Sequence, residues 1–313
     1  MVLKRILRPL VFRARQIRRR LSRLVRPWKQ WNGEHHPILA RFPPWRGTTD
    51  GTWVYDSLGV RTDPRYRIQF RPQPSGRVVT EHPAPHAQYF ELVFVLEAVA
   101  DAATDRPFVM IELGAGYGAW SAVAVRAAST LNLPAVSMTG VEMVPQYCKW
   151  FGEHLENNGA AGDNYRVIHA AVSDLDGEAA FEPSDKPEEA FGLSIQHRDV
   201  EVSTAGSNLV SVPCVSLQTL LRDQELVDLI HCDIQGQEKV VFTESMGIVT
   251  EKVKRLLIST HSASIHRQLR TLIENAGFEI EFDFGVRSRA TTDFGDVQFL
   301  DGLLCARNAS RAP

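Results

Sequence analysis

Residues 108–121 read Phe108-Val-Met-Ile-Glu-Leu-Gly-Ala-Gly-Tyr-Gly-Ala-Trp-Ser121. A β-rich run, introduced by Pro107, ends in an acidic residue. Glycines follow at Gly114, Gly116 and Gly118, and an Ala-rich helical segment then runs to about Thr130. Glycine at such a strand-to-helix turn lets the backbone turn tightly and approach a ligand closely. Moving outward, Ala87 to Ala103 carries helical periodicity ahead of the run. A second strand spans Ala135 to Val141 and closes on Glu142, and Pro145 starts a helix that ends near Asn157-Asn158-Gly159. Further strands are read at Tyr165–Ile168, at Val227–His231 before Cys232-Asp233, and at Arg255–Ile258. A helix from about Ser264 to Asn275, with Gly277 as its cap, precedes closing strands at Phe278–Phe284 and Asp301–Ala306. Strand and helix alternate throughout. That order predicts an α/β fold with a doubly wound, mostly parallel sheet, whose ligands bind beyond the carboxyl ends of the strands.

The chain has 313 residues, 44% hydrophobic and 23% charged, with 21 Gly and 17 Pro, which excludes disordered, collagenous and disulfide-scaffold classes. Cys148, Cys214, Cys232 and Cys305 form no C-x-x-C pair, so a zinc ribbon or redox dithiol is not expected and reduced thiols in a cytoplasmic protein are. No apolar run reaches the roughly 18 residues of a membrane-spanning helix. The net charge of −2 conceals an asymmetry: residues 1–31 hold eleven Lys or Arg and no acid, leaving 24 basic against 37 acidic residues, a balance of −13. Leu3, Ile6, Leu7, Leu10, Ala14, Ile17, Leu21 and Leu24 recur at helical spacing. Arg5, Arg8, Arg15, Arg19, Arg23 and Arg26 fall mostly on the other face. A basic amphipathic helix from about Pro9 to Arg26 is expected, suited to an anionic membrane surface; a helix packed on the body, nucleic-acid contact and targeting are the other readings. Residues 1–30 thus form an arm, 31–85 a loop-rich segment on the substrate side, and 86–308 the main domain.

The glycine turn by itself leaves the ligand open. Gly114-x-Gly116-x-x-Ala119 fits a dinucleotide fingerprint with Glu142 as the ribose acid. Glu-x-Gly-x-Gly-x-Gly also resembles motif I of S-adenosylmethionine-dependent methyltransferases.

Read in order, residues 107–306 resemble the FkbM family of methyltransferases. The opening motif appears as Glu112-Leu-Gly-Ala-Gly-Tyr-Gly-Ala-Trp-Ser121. Val141-Glu142-Met-Val-Pro145 is similar to the second motif, and Ala171-Val-Ser-Asp174-Leu-Asp-Gly177 to the third. Val215-Ser-Leu-Gln-Thr-Leu-Leu221 and Asp228-Leu-Ile-His-Cys-Asp233-Ile-Gln-Gly-Gln-Glu238 follow. The resemblance implies a Rossmann-like class I fold, S-adenosylmethionine as cofactor, and contacts to it from Glu112, Gly114, Ala115, Gly116, Gly118, Glu142, Ala171 and Val172. It also implies that Asp233 belongs to the active site and that the acceptor is a small molecule or glycan bearing a hydroxyl. Glu112 replaces the family's usual Asp, Gly116 its Asn, and Gln235 stands where Glu is common.

Methyl transfer to an alcohol needs in-line alignment and a base for the acceptor's proton. Asp233 ends one strand and His261 the next, so both are expected to face the reacting methyl. Glu238 is assigned to the dipole of a helix's first turn, His231 to a buried and satisfied position, and His82 and His86 to the acceptor pocket. No metal site is expected, because Gln235 lowers the local negative charge. The acidic body argues against a nucleic-acid substrate. An NAD-dependent oxidoreductase, and an inert methyltransferase fold recruited to membrane or RNA, are the competing functions. Peripheral placement on the inner face of the membrane follows if the arm inserts.

Overall fold

The structure, a computed structural model, describes residues 27–197 and 208–311. The basic amphipathic helix expected near the N-terminus lies outside the described residues.

Seven strands build the central sheet: β1 (Phe108–Leu113), β2 (Val136–Glu142), β3 (Tyr165–His169), β4 (Leu229–Cys232), β5 (Arg255–Thr260), β6 (Phe278–Phe284) and β7 (Gly302–Asn308). Their order is β6-β7-β5-β4-β1-β2-β3. Neighbours from β3 through β5 run parallel, and β7 is antiparallel to both β5 and β6. This is the doubly wound, Rossmann-like sheet that the alternation of elements predicts. Nearly every residue of β1, β4 and β5 is buried, which is why these strands read as continuous apolar runs rather than alternating ones.

Helices cover both faces. On one side lie α1 (Ala87–Ala100) and α2 (Ala119–Thr130), packed with Phe108, Met110 and Leu257. On the other, α4 (Glu238–Lys252) and α5 (Ala263–Asn275) pack over Ile111, Ile230 and Ile258. A further helix, α3 (Pro145–Asn157), follows β2. In α5 only His266, Leu269 and Ile273 are buried, a narrow stripe at three- and four-residue steps, as for a helix with one face in water. α1 is apolar almost all round, and the reason is a second layer. Residues 27–86, read from sequence as loop-rich, lay Leu39, Phe42, Leu58 and Val60 into the same core as α1. Two short antiparallel pairs, Arg46–Thr49 with Gly76–Val79 and Val54–Tyr55 with Arg61–Thr62, give that layer its order.

A four-stranded sheet that sequence reading did not separate lies between β3 and β4. It combines Gln196–His197, Gly177–Phe181, Val210–Ser216 and Ala171–Ser173. At the amino edge of the central sheet, the buried Asp228 carboxylate accepts two bonds from the Arg106 guanidinium, at 2.8 and 2.5 Å, and one from the Val109 N–H at 2.9 Å. Lys254 Nζ is 3.2 Å away. This charged staple joins the starts of β1, β4 and β5, and leaves the opposite, carboxyl edge free for ligands.

Phe151 of α3 is fully buried against Gly118 and Gly140, where an added Cβ would lie 2.6 and 2.5 Å from its ring. Its ring therefore seats the end of the glycine turn against α3. Phe151→Ala is expected to cost about 3–5 kcal/mol, the range for deleting a buried phenyl ring, read by denaturant unfolding. A cost below about 1 kcal/mol would remove this contact as the seat of the turn.

Candidate active site

The carboxyl ends of β1, β2, β4 and β5 open onto a cleft of about 710 Å³, within the range of small-molecule sites. Gly114, Gly116 and Gly118 all have positive φ, +69°, +54° and +73°. A Cβ on Gly114 would sit 2.0 Å from the Asp233 carbonyl oxygen, so only glycine lets the ends of β1 and β4 meet. At Gly116 a Cβ would meet nothing nearer than the Phe191 ring at 3.5 Å, on the side of the cleft. Bare backbone is thus presented to whatever binds.

Two carboxylates hold the turn. Glu112 is buried and accepts the Ser121 N–H at 3.0 Å, the Ser121 hydroxyl at 2.5 Å and the Trp120 N–H at 3.4 Å. Gly118 occupies the N-cap position of α2 and has no side chain to cap with, so Glu112 supplies the cap from the neighbouring strand. Glu142 is buried as well. Its Oε2 accepts the Gly116 N–H and its Oε1 the Val144 N–H, both at 2.8 Å. Two of the roughly four lone-pair sites of a carboxylate are thereby used, and the residue lines the cleft. Burial raises both carboxyl pKa values; in Glu142 the Val144 and Gly116 N–H groups work against that rise.

Asp233 and His261 meet, as their positions on adjacent strands predict. His261 Nε2 lies 3.2 Å from Asp233 Oδ1, and its Nδ1 lies 2.7 Å from Glu238 Oε1. Glu238 is fully buried at the first residue of α4, where sequence reading puts it, and it also accepts the Gly236 N–H at 2.9 Å. Its clamp on His261 is the functional contact that sequence reasoning missed: the two residues are 23 apart, and no motif links them. Burial opposes the charge of the imidazole, but bonds to Asp233 and Glu238 outweigh it and raise its pKa to about 10. Asp233 moves the other way: burial favours its neutral form, yet the His261 bond holds it below the usual carboxylate value. With its pKa raised to about 10, His261 favours the protonated form, in which its two ring nitrogens donate to Asp233 and to Glu238.

Gln235 adopts φ +53°, and its Nε2 donates to Asp233 Oδ1 at 2.8 Å. A glutamate here would set a like charge beside Asp233 where the amide sets a donor, so the departure at this position has a physical role. Ala171 and Val172 are buried in the cleft wall beyond Glu142. Tyr147 and Phe191 stack nearby, with ring centroids 4.9 Å apart. His231 is buried between two carboxylates, as a buried histidine needs: its Nε2 lies 3.8 Å from Glu91 and its Nδ1 3.8 Å from Glu112, at ion-pair distance. His86 lines the cleft and caps α1 through Nδ1, whereas His82 turns toward His35 and is absent from the cleft wall. Among the described residues, no group of three or more His, Cys, Asp or Glu is placed to hold a metal ion.

A second cavity of about 620 Å³ adjoins the first, sharing Phe70, His86, Gln88, Tyr117 and Trp120. Its far wall comes from Tyr55, Val60, Thr62 and Val79 of the N-terminal layer.

The profile described as "Methyltransferase FkbM domain" matches residues 112–280, more than half of the chain. The chain belongs to the FkbM methyltransferase family. A relative from Jannaschia sp. (strain CCS1), itself named a methyltransferase only provisionally, is 29% identical over 202 residues, 63% of this chain and 71% of its own. Among solved structures, precorrin-6y C5,15-methyltransferase from Geobacter metallireducens GS-15 aligns with a TM-score of 0.37 at 13% identity, over 68% of this chain and 86% of that one. The METTL16 methyltransferase domain aligns with 0.41 at 11% identity, over 73% and 70%. Scores of this size carry no inference about substrate.

The clamp on His261 has a pH signature. Its folded pKa lies above the ordinary value of 6.5, so its stabilising contribution is complete below about pH 6.5 and is lost as pH rises through about 10. His261→Gln is expected to lower stability most at about pH 6.5, with the difference from the native protein shrinking steadily as the pH rises to about 10. Equal differences across that window, measured by denaturant unfolding, would contradict the clamp.

Proposed function

We propose that this FkbM-family methyltransferase uses S-adenosylmethionine to methylate a hydroxyl of a sugar, glycolipid or related small acceptor. The observation that carries the proposal is Glu142, a cleft-lining carboxylate fixed by the Gly116 and Val144 N–H groups at the end of the strand beside the glycine turn. The residues fit the cofactor. Glu142 would accept the ribose hydroxyls, the bare backbone at Gly114, Ala115 and Gly116 leaves room for the chain carrying the sulfonium, and Ala171 and Val172 offer an apolar wall for the base. When bound, S-adenosylmethionine supplies an electrophilic methyl group.

The acceptor hydroxyl would enter from the second cavity and meet Asp233. Oδ1 of that carboxylate is held by His261 and Gln235, so Oδ2 is left to take the hydroxyl proton as the new carbon–oxygen bond forms. The imidazolium fixes the carboxylate's orientation and keeps it ionised before the step. The side chain of Asp233 is 39% exposed, which gives the proton a route to water afterwards. With S-adenosylmethionine bound to supply the methyl group, the proton that Asp233 would take keeps the charge of the site in balance.

Calorimetric titration with S-adenosylhomocysteine and with NAD separates this reading from an oxidoreductase. Glu142→Ala is expected to weaken S-adenosylhomocysteine binding at least about tenfold, or 1.4 kcal/mol, because two ribose hydroxyls lose their acceptor. Asp233→Asn is expected to keep that affinity and to slow methyl transfer to a panel of hydroxylated glycans about a hundredfold or more. Binding without turnover on any hydroxyl acceptor would favour the inert reading.

The arm supports a lipid-linked acceptor. Just after it, the Lys29 N–H donates to Asp296 Oδ2 at 2.6 Å and the Asn32 N–H to the Phe294 carbonyl at 3.1 Å, on the hairpin Ser288–Thr292/Gly295–Phe299. The same hairpin runs into Gln298, Leu300 and Asp301 at the cleft wall, and Leu300 is 73% exposed there. Among the described residues no helix is long and apolar enough to cross a membrane. We propose peripheral attachment to anionic lipid on the cytoplasmic side through residues 1–26, with each basic residue near the surface worth about 1 kcal/mol. The full chain is expected to sediment with anionic but not neutral vesicles and to be released by high salt. Removing residues 1–26 should abolish sedimentation and leave S-adenosylhomocysteine affinity intact; a lowered melting temperature without vesicle binding would make the arm a packing element.

A further inference from the structure

The cleft is walled by acids, Glu91, Glu112, Glu142, Asp233 and Asp301 among them, and Arg67 is the one Lys or Arg among its described lining residues. It comes from the N-terminal layer, outside residues 112–280 that match the family, so no family motif supplies it. Its guanidinium carbon stands 4.0 Å over the centre of the Phe191 ring and 5.7 Å over that of Tyr117. Phe191 in turn covers Gly116. The cation is therefore held above the glycine turn by two aromatic faces. Among the described residues Arg67 forms no ion pair, and its Nε is buried without a hydrogen-bond partner. The polar group it does face is the Tyr117 hydroxyl: burial raises that phenol's pKa, and the guanidinium works against the rise.

An arginine held in a fixed orientation beside five carboxylates, yet bonded to none of them, is arranged for an anion that arrives with a ligand. We propose that Arg67 receives the carboxylate of the methionine end of the cofactor, an assignment that rests on the S-adenosylmethionine reading above. Charge matching supports the choice. The cofactor carries two cationic groups, sulfonium and ammonium, and one carboxylate. The acidic wall suits the two cations and repels the carboxylate, so one cation over the turn resolves the mismatch. The planar guanidinium offers paired donors that match a carboxylate in a way a lysine ammonium would not. Layer 27–86 then does more than enclose an acceptor: it closes the cofactor site from above.

The test compares two ligands that differ in the amino-acid end. S-adenosylhomocysteine has the carboxylate; 5′-methylthioadenosine has the same nucleoside and sulfur without it. By calorimetry, Arg67→Gln is expected to weaken S-adenosylhomocysteine about tenfold or more and to leave methylthioadenosine within about twofold, since only the first ligand loses a charge-assisted bond. Arg67→Lys, which keeps the charge but loses the fork, is expected to fall between. Thermal melting of each variant shows whether it is folded, and the lysine variant guards against a glutamine that is not. Undiminished S-adenosylhomocysteine binding in folded Arg67→Gln would overturn the proposal and leave Arg67 for an anionic acceptor. Equal loss of both ligands would overturn it too, making Arg67 a support for the nucleoside or for Phe191. A native protein that binds neither ligand would sink the cofactor reading itself, and this assignment with it.

Discussion

The backbone carbonyl of Asp233 lies where a side chain on residue 114 would have to be. That close approach, with the Asp233 N–H bonded to the Leu113 carbonyl at 3.0 Å, draws the ends of β1 and β4 together at the middle of the sheet. Much of the site hangs on it. The turn leaving β1 is forced upward and back over the Val141 carbonyl, which accepts the N–H groups of Gly114 and Ala115. The chain leaving β4 must bend away, through the left-handed backbone of Gln235, before α4 begins. Asp233 is left at the corner between the two, pointed toward β5 and His261.

Around that corner the molecule buries carboxylates whose desolvation is costly, and each is matched to a separate set of donors. Glu112 meets the start of a helix, Glu142 the backbone of the turn, and Glu238 an imidazolium. They are not an undifferentiated acidic patch. The first shapes the backbone, the second shapes it and keeps spare acceptor capacity, and the third tunes a neighbour. Of these four only Asp233 is appreciably open to solvent, and the proposed chemistry falls to it.

Much of this was legible from the chain alone, and the reasons are local. Parallel strands buried on both faces announce themselves as apolar runs, and a turn that requires glycine at Gly114, Gly116 and Gly118 leaves an unmistakable spelling. The adjacency of Asp233 and His261 followed from strand order. What stayed hidden depends on side chains that meet across long stretches of sequence. Nothing in the spelling of Glu238 says that it holds His261, and nothing near Arg67 says that it stands over Phe191, 124 positions on. The layer 27–86 was opaque for another reason. Its strands are two to four residues long and broken by proline, so neither period develops, and its order comes from Leu39, Phe42 and Tyr66 finding sockets in the main body.

Those sockets have a consequence for how such a protein diversifies. The groups proposed for cofactor and proton transfer lie, Arg67 apart, within 112–280, while the far wall of the second cavity comes from residues 54–81. If the acceptor enters there, as proposed, its preference is written on a separate stretch of chain. It is not a detachable cassette, however, because α1 is apolar on the side that this stretch covers and would be left bare by its removal. By this packing the layer and α1 form one unit, residues 27–100. A graft cut at residue 86 would join one wall to a helix shaped for another.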